Sequence, residues 1–114
     1  MYEMSKCVMN FPIAGFQYHD GASVLSKLKP GTKLKLVAEP DNPFDPCAVA
    51  LYRKNTMLGY VPGDQNAAIS QLLHFGHTNV FEAVVISVNP KEKPYRQVYV
   101  SIRIRDVRPC ASKG

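Results

Sequence analysis

Short apolar runs, some alternating with polar residues and some continuous, succeed one another along this chain, broken by proline, glycine and asparagine. Strand side chains point to opposite faces in turn. A period of two therefore marks a half-buried strand, and an unbroken apolar run marks one buried on both faces. Residues 10–18 read as a first strand, with Gly15 marking a bulge or a close backbone approach. Residues 33–38 begin with the alternation Lys33, Leu34, Lys35, Leu36 and then turn apolar. Residues 47–53 are almost wholly apolar, and Lys54-Asn55-Thr56 turns them into a hairpin with residues 57–61. Residues 79–88 make a long apolar strand. In 96–106, Val98, Val100, Ile102 and Ile104 take one face; Gln97, Tyr99, Ser101, Arg103 and Arg105 take the other.

Two stretches change period. Ser23 to Lys29, with Val24, Leu25 and Leu28, suits a short helix stopped by Pro30-Gly31. Ile69, Leu72 and Leu73 form an apolar helical stripe, with Asp64 as an N-cap residue type and Gly76 as a C-terminal stop. The pattern predicts a mainly β protein with two short helices. A small six-stranded β-barrel, OB-like or SH3-like, is the economical way to bury amphipathic strands without exposed edges. The expected division is an N-terminal extension over 1–9, a barrel domain over 10–107 and a basic tail over 108–114.

At 114 residues the chain is one domain, long enough to bury roughly two-thirds of its unfolded surface. No apolar run approaches the ~18 residues that span a bilayer. The N-terminus lacks the order of a signal peptide, so no membrane role is expected and the cytoplasm is the expected location. Cys7, Cys47 and Cys110 show no paired spacing, which argues against a disulfide framework or a zinc knuckle. Cys47 reads as a small core residue. His74 and His77 have no evident third ligand nearby. No serine or cysteine is locally paired with histidine and no GxxxxGK[ST] phosphate loop is present, so neither catalysis nor a cofactor is expected. The net charge is +5, and residues 91–113 account for all of it, with seven basic residues against Glu92 and Asp106. Such a basic stripe suits a polyanion.

The richest segment is Glu39-Pro40-Asp41-Asn42-Pro43-Phe44-Asp45-Pro46-Cys47-Ala48-Val49. Its prolines forbid helix, and Asn42 and Asp45 suit side-chain-to-backbone turns. A stiff loop presenting Phe44 in a fixed place follows. Phe44 and Tyr60 are ligand-stacking candidates, or else rings that close a barrel end. Asn42 and Asp45 are ligand-bonding candidates, turn residues, or both. Glu39 and Asp41 read as loop-stabilising or solvated. Lys33, Lys35, Arg103 and Arg105 sit on polar strand faces that would line a basic groove.

Several of these pieces together resemble a HIRAN domain. They are Ile13-Ala14-Gly15-Phe16, Gly31 with the strand to Glu39, the proline-rich loop with Ala48-Val49, Leu58-Gly59-Tyr60-Val61-Pro62, and a helix carrying Asn66 and Ile69. The resemblance covers residues 10–107 and suggests a free-standing, bacterial form. It implies an OB-like barrel that captures the 3′-hydroxyl end of single-stranded DNA in repair or replication, beside a helicase or other repair protein supplied in trans. It implies stacking by Tyr18 and Phe44, polar contacts from Asn42 and Asp45, and a ring, Tyr60, at the hairpin end. Gln17 and Gly63 stand where DNA-binding relatives carry basic residues. The alternative is a protein- or peptide-binding module using the same aromatic pocket without DNA.

Overall fold

The computed structural model describes residues 5–16, 24–93 and 96–105. Six strands form one antiparallel sheet: β1 (Ser5–Pro12), β2 (Lys33–Glu39), β3 (Ala48–Arg53), β4 (Thr56–Tyr60), β5 (Phe81–Val88) and β6 (Val98–Arg105). Their order is β1-β6-β5-β2-β3-β4. Among the described residues, helix α1 (Ala67–His74) lies between β4 and β5, and a 3-10 turn (Leu25–Lys27) precedes β2. The sheet curls into a half-barrel of the expected mainly β, OB-like class. Its inner face gathers Phe11, Ile13, Phe16, Val49, Leu51, Leu58, Val61, Val85, Val98, Val100 and Ile102, with Ile69 of α1 packed among them.

The last five strands lie within two residues of where periodicity puts them. β1 does not: it runs Ser5–Pro12 rather than 10–18, pairing Ser5 with Arg105 and Pro12 with Tyr99. Pro12 has no N–H to give a ladder, and Gly15 has φ 73, so the chain turns after a short link instead of continuing the strand. That link holds the closure. Ala14 and Tyr60 exchange both backbone hydrogen bonds at 2.9 Å, joining the two ends of the sheet. Across from Gly15, a close backbone approach occurs at Gly59. A Cβ on Gly59 would stand 2.5 Å from both the Ala14 carbonyl oxygen and Ile13 Cγ2.

Of the first expected helix, Ser23 lies outside the described residues; from Val24 on, a 3-10 turn at Leu25–Lys27 ends at Leu28, which is already extended ahead of Pro30. Helix α1 starts after Asn66, not Asp64, and Asn66 makes no capping bond with its side chain. The C-terminus matches expectation. Gly76, at φ 92, allows His77 N–H to reach the Leu72 carbonyl and Gly76 N–H the Leu73 carbonyl, a Schellman closure. On β6, Val98, Val100 and Ile102 are buried, while Ile104 is 43% exposed and Ser101 on the polar face is buried.

Gly59 is the tightest constraint. Gly59→Val puts branched carbon against backbone, where overpacking costs about 1–3 kcal/mol. Thermal denaturation is expected to show a fall of at least about 4 °C, while the same substitution at Gly31, whose Cβ would meet nothing within 4 Å, strains only its own backbone.

Candidate nucleic-acid interface

The loop from Pro40 to Cys47 joins β2 to β3 and is held by its own side chains. Asn42 Oδ1 accepts hydrogen bonds from the backbone N–H of Phe44 (2.9 Å) and Asp45 (3.1 Å). Asp45 Oδ1 accepts from Cys47 N–H at 2.8 Å. Each is the short side-chain-to-backbone bond that asparagine and aspartate favour in turns. Phe44 at the tip is 95% exposed. With its N–H bonded and a proline on the preceding residue, the backbone beneath that ring has little freedom.

Three further bonds tie the loop to the barrel. Glu39 Oε1, at the end of β2, accepts from Asn42 Nδ2 (3.1 Å) and from the Tyr60 hydroxyl (2.8 Å). Glu39 and Tyr60 lie on one face of the sheet, opposite Ala48 and Ala50 of the intervening β3. Two alanines give the Tyr60 side chain an unobstructed path across β3. Asp45 Oδ2 accepts from Asn66 Nδ2 at 2.9 Å, and this is where the capping capacity of Asn66 goes. Asn66 is only 2% exposed, and a buried amide needs such a partner.

These bonds set the charge states. Burial, ahead of the hydrogen bond to Glu39 and the charge of its carboxylate, pushes the Tyr60 hydroxyl up to about 12, so it stays a donor at neutral pH. The Asn66 amide, followed by Cys47 N–H, holds Asp45 below the usual carboxylate range. Asp45 is therefore ionised at neutral pH. Each of its oxygens has one bond, and a carboxylate offers about four lone-pair sites, so it retains room for a hydroxyl donor.

Around this frame opens a cleft of about 890 Å³. Ala14, Ala38, Val61 and Tyr60 supply apolar wall, and Asn42, Phe44 and Asp45 stand at the loop side. Four of the sequence candidates thus come together: Asn42, Phe44, Asp45 and Tyr60. Gln17 and Tyr18 lie outside the described residues, as does the side chain of Arg105. Lys33, Lys35 and Arg103 are not in the cleft. Among the described residues its lining holds Glu39, Asp41 and Asp45 and no lysine or arginine. Lys33 is six residues along β2 from Glu39, about 20 Å at strand spacing, and pairs with Glu82 at 3.3 Å. Gly63 abuts the site, since a Cβ there would lie 3.7 Å from Asp45 Oδ2. Cys47 is half-buried at the loop exit and not in the core.

Of the two alternatives for Glu39, loop-stabilising or solvated, its bonds to Asn42 and Tyr60 show the first. In the sequence, Asn66 figures only as part of the HIRAN-like pattern. Sequence reasoning missed its role as the partner of Asp45, because nothing local marks an asparagine as the partner of a carboxylate 21 positions away.

The HIRAN domain family model matches residues 6–105. The crystal structure of a protein from Lactobacillus plantarum superposes with a TM-score of 0.72 at 19% identity, covering 88% of this chain and 94% of that one. The crystal structure of the HIRAN domain of human HLTF superposes with a TM-score of 0.62 at 15% identity, covering 90% and 81%. No curated protein gave a significant match. The chain belongs to the HIRAN domain family, whose members are known generally as nucleic-acid-binding modules rather than catalysts.

The Asn66 bond makes an acid-range prediction. A depressed folded pKa gives Asp45 a stabilising contribution that is complete above its unfolded value near 3.9. It is lost as pH falls through the folded value. Asn66→Ala removes the largest cause of the depression, so the Asp45 carboxyl carbon should titrate at higher pH by NMR. An unchanged midpoint would show that the amide does not set it.

Proposed function

We propose that this domain captures the 3′-hydroxyl end of single-stranded DNA, with Phe44 as the described stacking platform and Asp45 as acceptor for the terminal hydroxyl. The observation that carries this reading is a 95% exposed ring beside an ionised, half-satisfied carboxylate on a loop that has no slack. An exposed π-face takes any unstacked base, for about 1–3 kcal/mol per base. A carboxylate accepts a hydrogen bond from a hydroxyl and repels a phosphate at short range. Side by side, the two groups select a chain end over an internal position.

Tyr18 is the second ring of this reading, and Asn42, Tyr60 and Gln17 its flanking contacts. Two stacks and one charge-assisted bond together approach the −8 kcal/mol of a micromolar complex. Lys33, Lys35, Arg103 and Arg105 would act on the strand away from its end. The work is accessory to repair or replication, beside a helicase or other repair protein supplied in trans. The second reading, a peptide site, is favoured by one observation: the described lining of the cleft is acidic and free of lysine and arginine. A basic or neutral peptide would suit that charge as well as a hydroxyl end does.

Fluorescence anisotropy separates the readings. Oligonucleotides ending in 3′-hydroxyl should bind about 10- to 100-fold more tightly than matched ones ending in 3′-phosphate, the range of a hydrogen bond to a charged group. Asp45→Asn, which keeps shape and removes charge, should shrink that ratio. Phe44→Ala should weaken binding about 5-fold or more and leave the melting temperature within a degree or two. Equal affinity for both ends would remove Asp45 from the site, and absence of binding at low salt would favour the peptide.

A further inference from the structure

The sheet face that carries Tyr60 does not stop at the cleft. Residues opposite one another in an antiparallel pair share a face, and so do residues two apart on one strand. Tyr60 is opposite Ala50, and Glu39 is opposite Ala48. Two positions beyond Ala50 stands Tyr52, with Lys35 opposite it on β2 and Met57 opposite it on β4. Lys33 is the next β2 residue on the same face. The Tyr52 and Tyr60 phenols lie close enough to interact electrostatically, as diagonal neighbours should.

Ala48 and Ala50 are 5% and 0% exposed, so the longer side chains of this face already cover them and the face is a continuous surface, not a groove. Val37 stands on it between Lys35 and Glu39. A lane on this surface runs from Glu39 and Tyr60 to Tyr52 and Lys35, four residues or about 13 Å along β2, and on to Lys33. Lys35 is exposed, and Lys33 stays 75% exposed despite its pairing with Glu82. The lane also changes sign along its length. Acids hold the cleft end (Glu39, Asp41, Asp45) and lysines the far end.

That order of charge describes its occupant. The matching ligand has an uncharged, hydroxyl-bearing end and repeated negative charge set back from it. A single DNA strand entered by its 3′ end has that order, since its last sugar carries a hydroxyl and its phosphates begin one step behind. We infer that the strand leaves the cleft along the outer face of β2 and β3, with one base stacked on Tyr52 and its phosphates passing Lys35 and then Lys33. This rests on the single-strand reading above and adds to it a direction of exit, a further aromatic platform at Tyr52 and an order in which the strand meets Lys35 and Lys33.

Length dependence tests the lane apart from the cleft. Trinucleotide and decanucleotide oligothymidylates with 3′-hydroxyl ends are titrated by NMR into the unaltered domain, Lys35→Ala and Tyr52→Leu. Leucine at 52 keeps an apolar side chain over the sheet, and melting temperatures check the fold. The unaltered domain should bind the decamer more tightly. Tyr52→Leu should lose about 5-fold or more on the decamer, the range of one base stack, and nothing on the trimer. Lys35→Ala should lower the decamer's salt slope by about 0.7 and leave the trimer unchanged. Equal affinity for both lengths, or losses that fall equally on both, overturns the lane while leaving the cleft reading in place. Failure to bind either length overturns both.

Discussion

The backbone seam between Ala14 and Tyr60 is the contact on which the other features depend. A six-stranded sheet with ends β1 and β4 would expose two ladders of unpaired groups, and the two hydrogen bonds of this seam bring those ends together. They form because Gly59 adds no carbon where Ile13 and the Ala14 carbonyl already fill the space. Closure then fixes Tyr60, whose hydroxyl reaches across the two alanines of β3 to Glu39. Glu39 in turn holds Asn42, and Asn42 holds the backbone of Phe44 and Asp45. A packing constraint in the barrel is thereby converted, bond by bond, into the orientation of one exposed ring. The motif Leu58-Gly59-Tyr60-Val61 consequently serves both core and site, with Leu58 and Val61 buried on the inner face and Tyr60 turned outward.

The loop's polar residues are largely occupied with one another, which alters what they offer a ligand. Asn42 spends its oxygen on two backbone donors and its amide on Glu39. Its contribution to recognition is chiefly the shape it imposes. Asp45 differs. Its two bonds stabilise the ionised form without exhausting it, so it stands as a fixed negative charge with remaining acceptor capacity. Gly63 beside it brings neither cation nor bulk. An exposed phenylalanine normally costs something in solubility and gains nothing in stability; here its position on a fully bonded loop points to a ring kept outside for contact.

How much of this was legible depended on the range of the interaction. Period-two patterns located β2 to β6 because strand burial is written in neighbouring residues. The Asn42 and Asp45 turn bonds are local, and the loop composition announced them. β1 was misplaced because aromatic and apolar residues from Asn10 to Tyr18 look equally strand-like, while only the pairing with β6 decides where the ladder runs. Asp64 is a favourable cap type by composition, whereas the helix starts after Asn66, whose side chain caps nothing and is bonded instead to Asp45 across the fold. The proposed groove cations illustrate the same limit. Alternation puts Lys33 and Lys35 on an outer face, but only the register shows that this face meets the cleft through Tyr60 and not at the cleft itself.

Charge is consequently segregated, and that segregation reconciles a basic protein with an acidic cleft. A net charge of +5 acts over distances up to the Debye length of about 8–10 Å and draws a polyanion towards the surface as a whole. It cannot choose between a terminus and the middle of a strand, because every phosphate responds to it alike. The carboxylates of the cleft are screened over the same distance. Next to them their field outweighs that of the more distant cations, so there they oppose phosphate and accept a hydroxyl. Attraction placed at a distance and repulsion placed at the end together favour one chain position. Lysines inside the cleft would strengthen binding and weaken that choice. On the single-strand reading, the acidity of the site is thus the source of its selectivity.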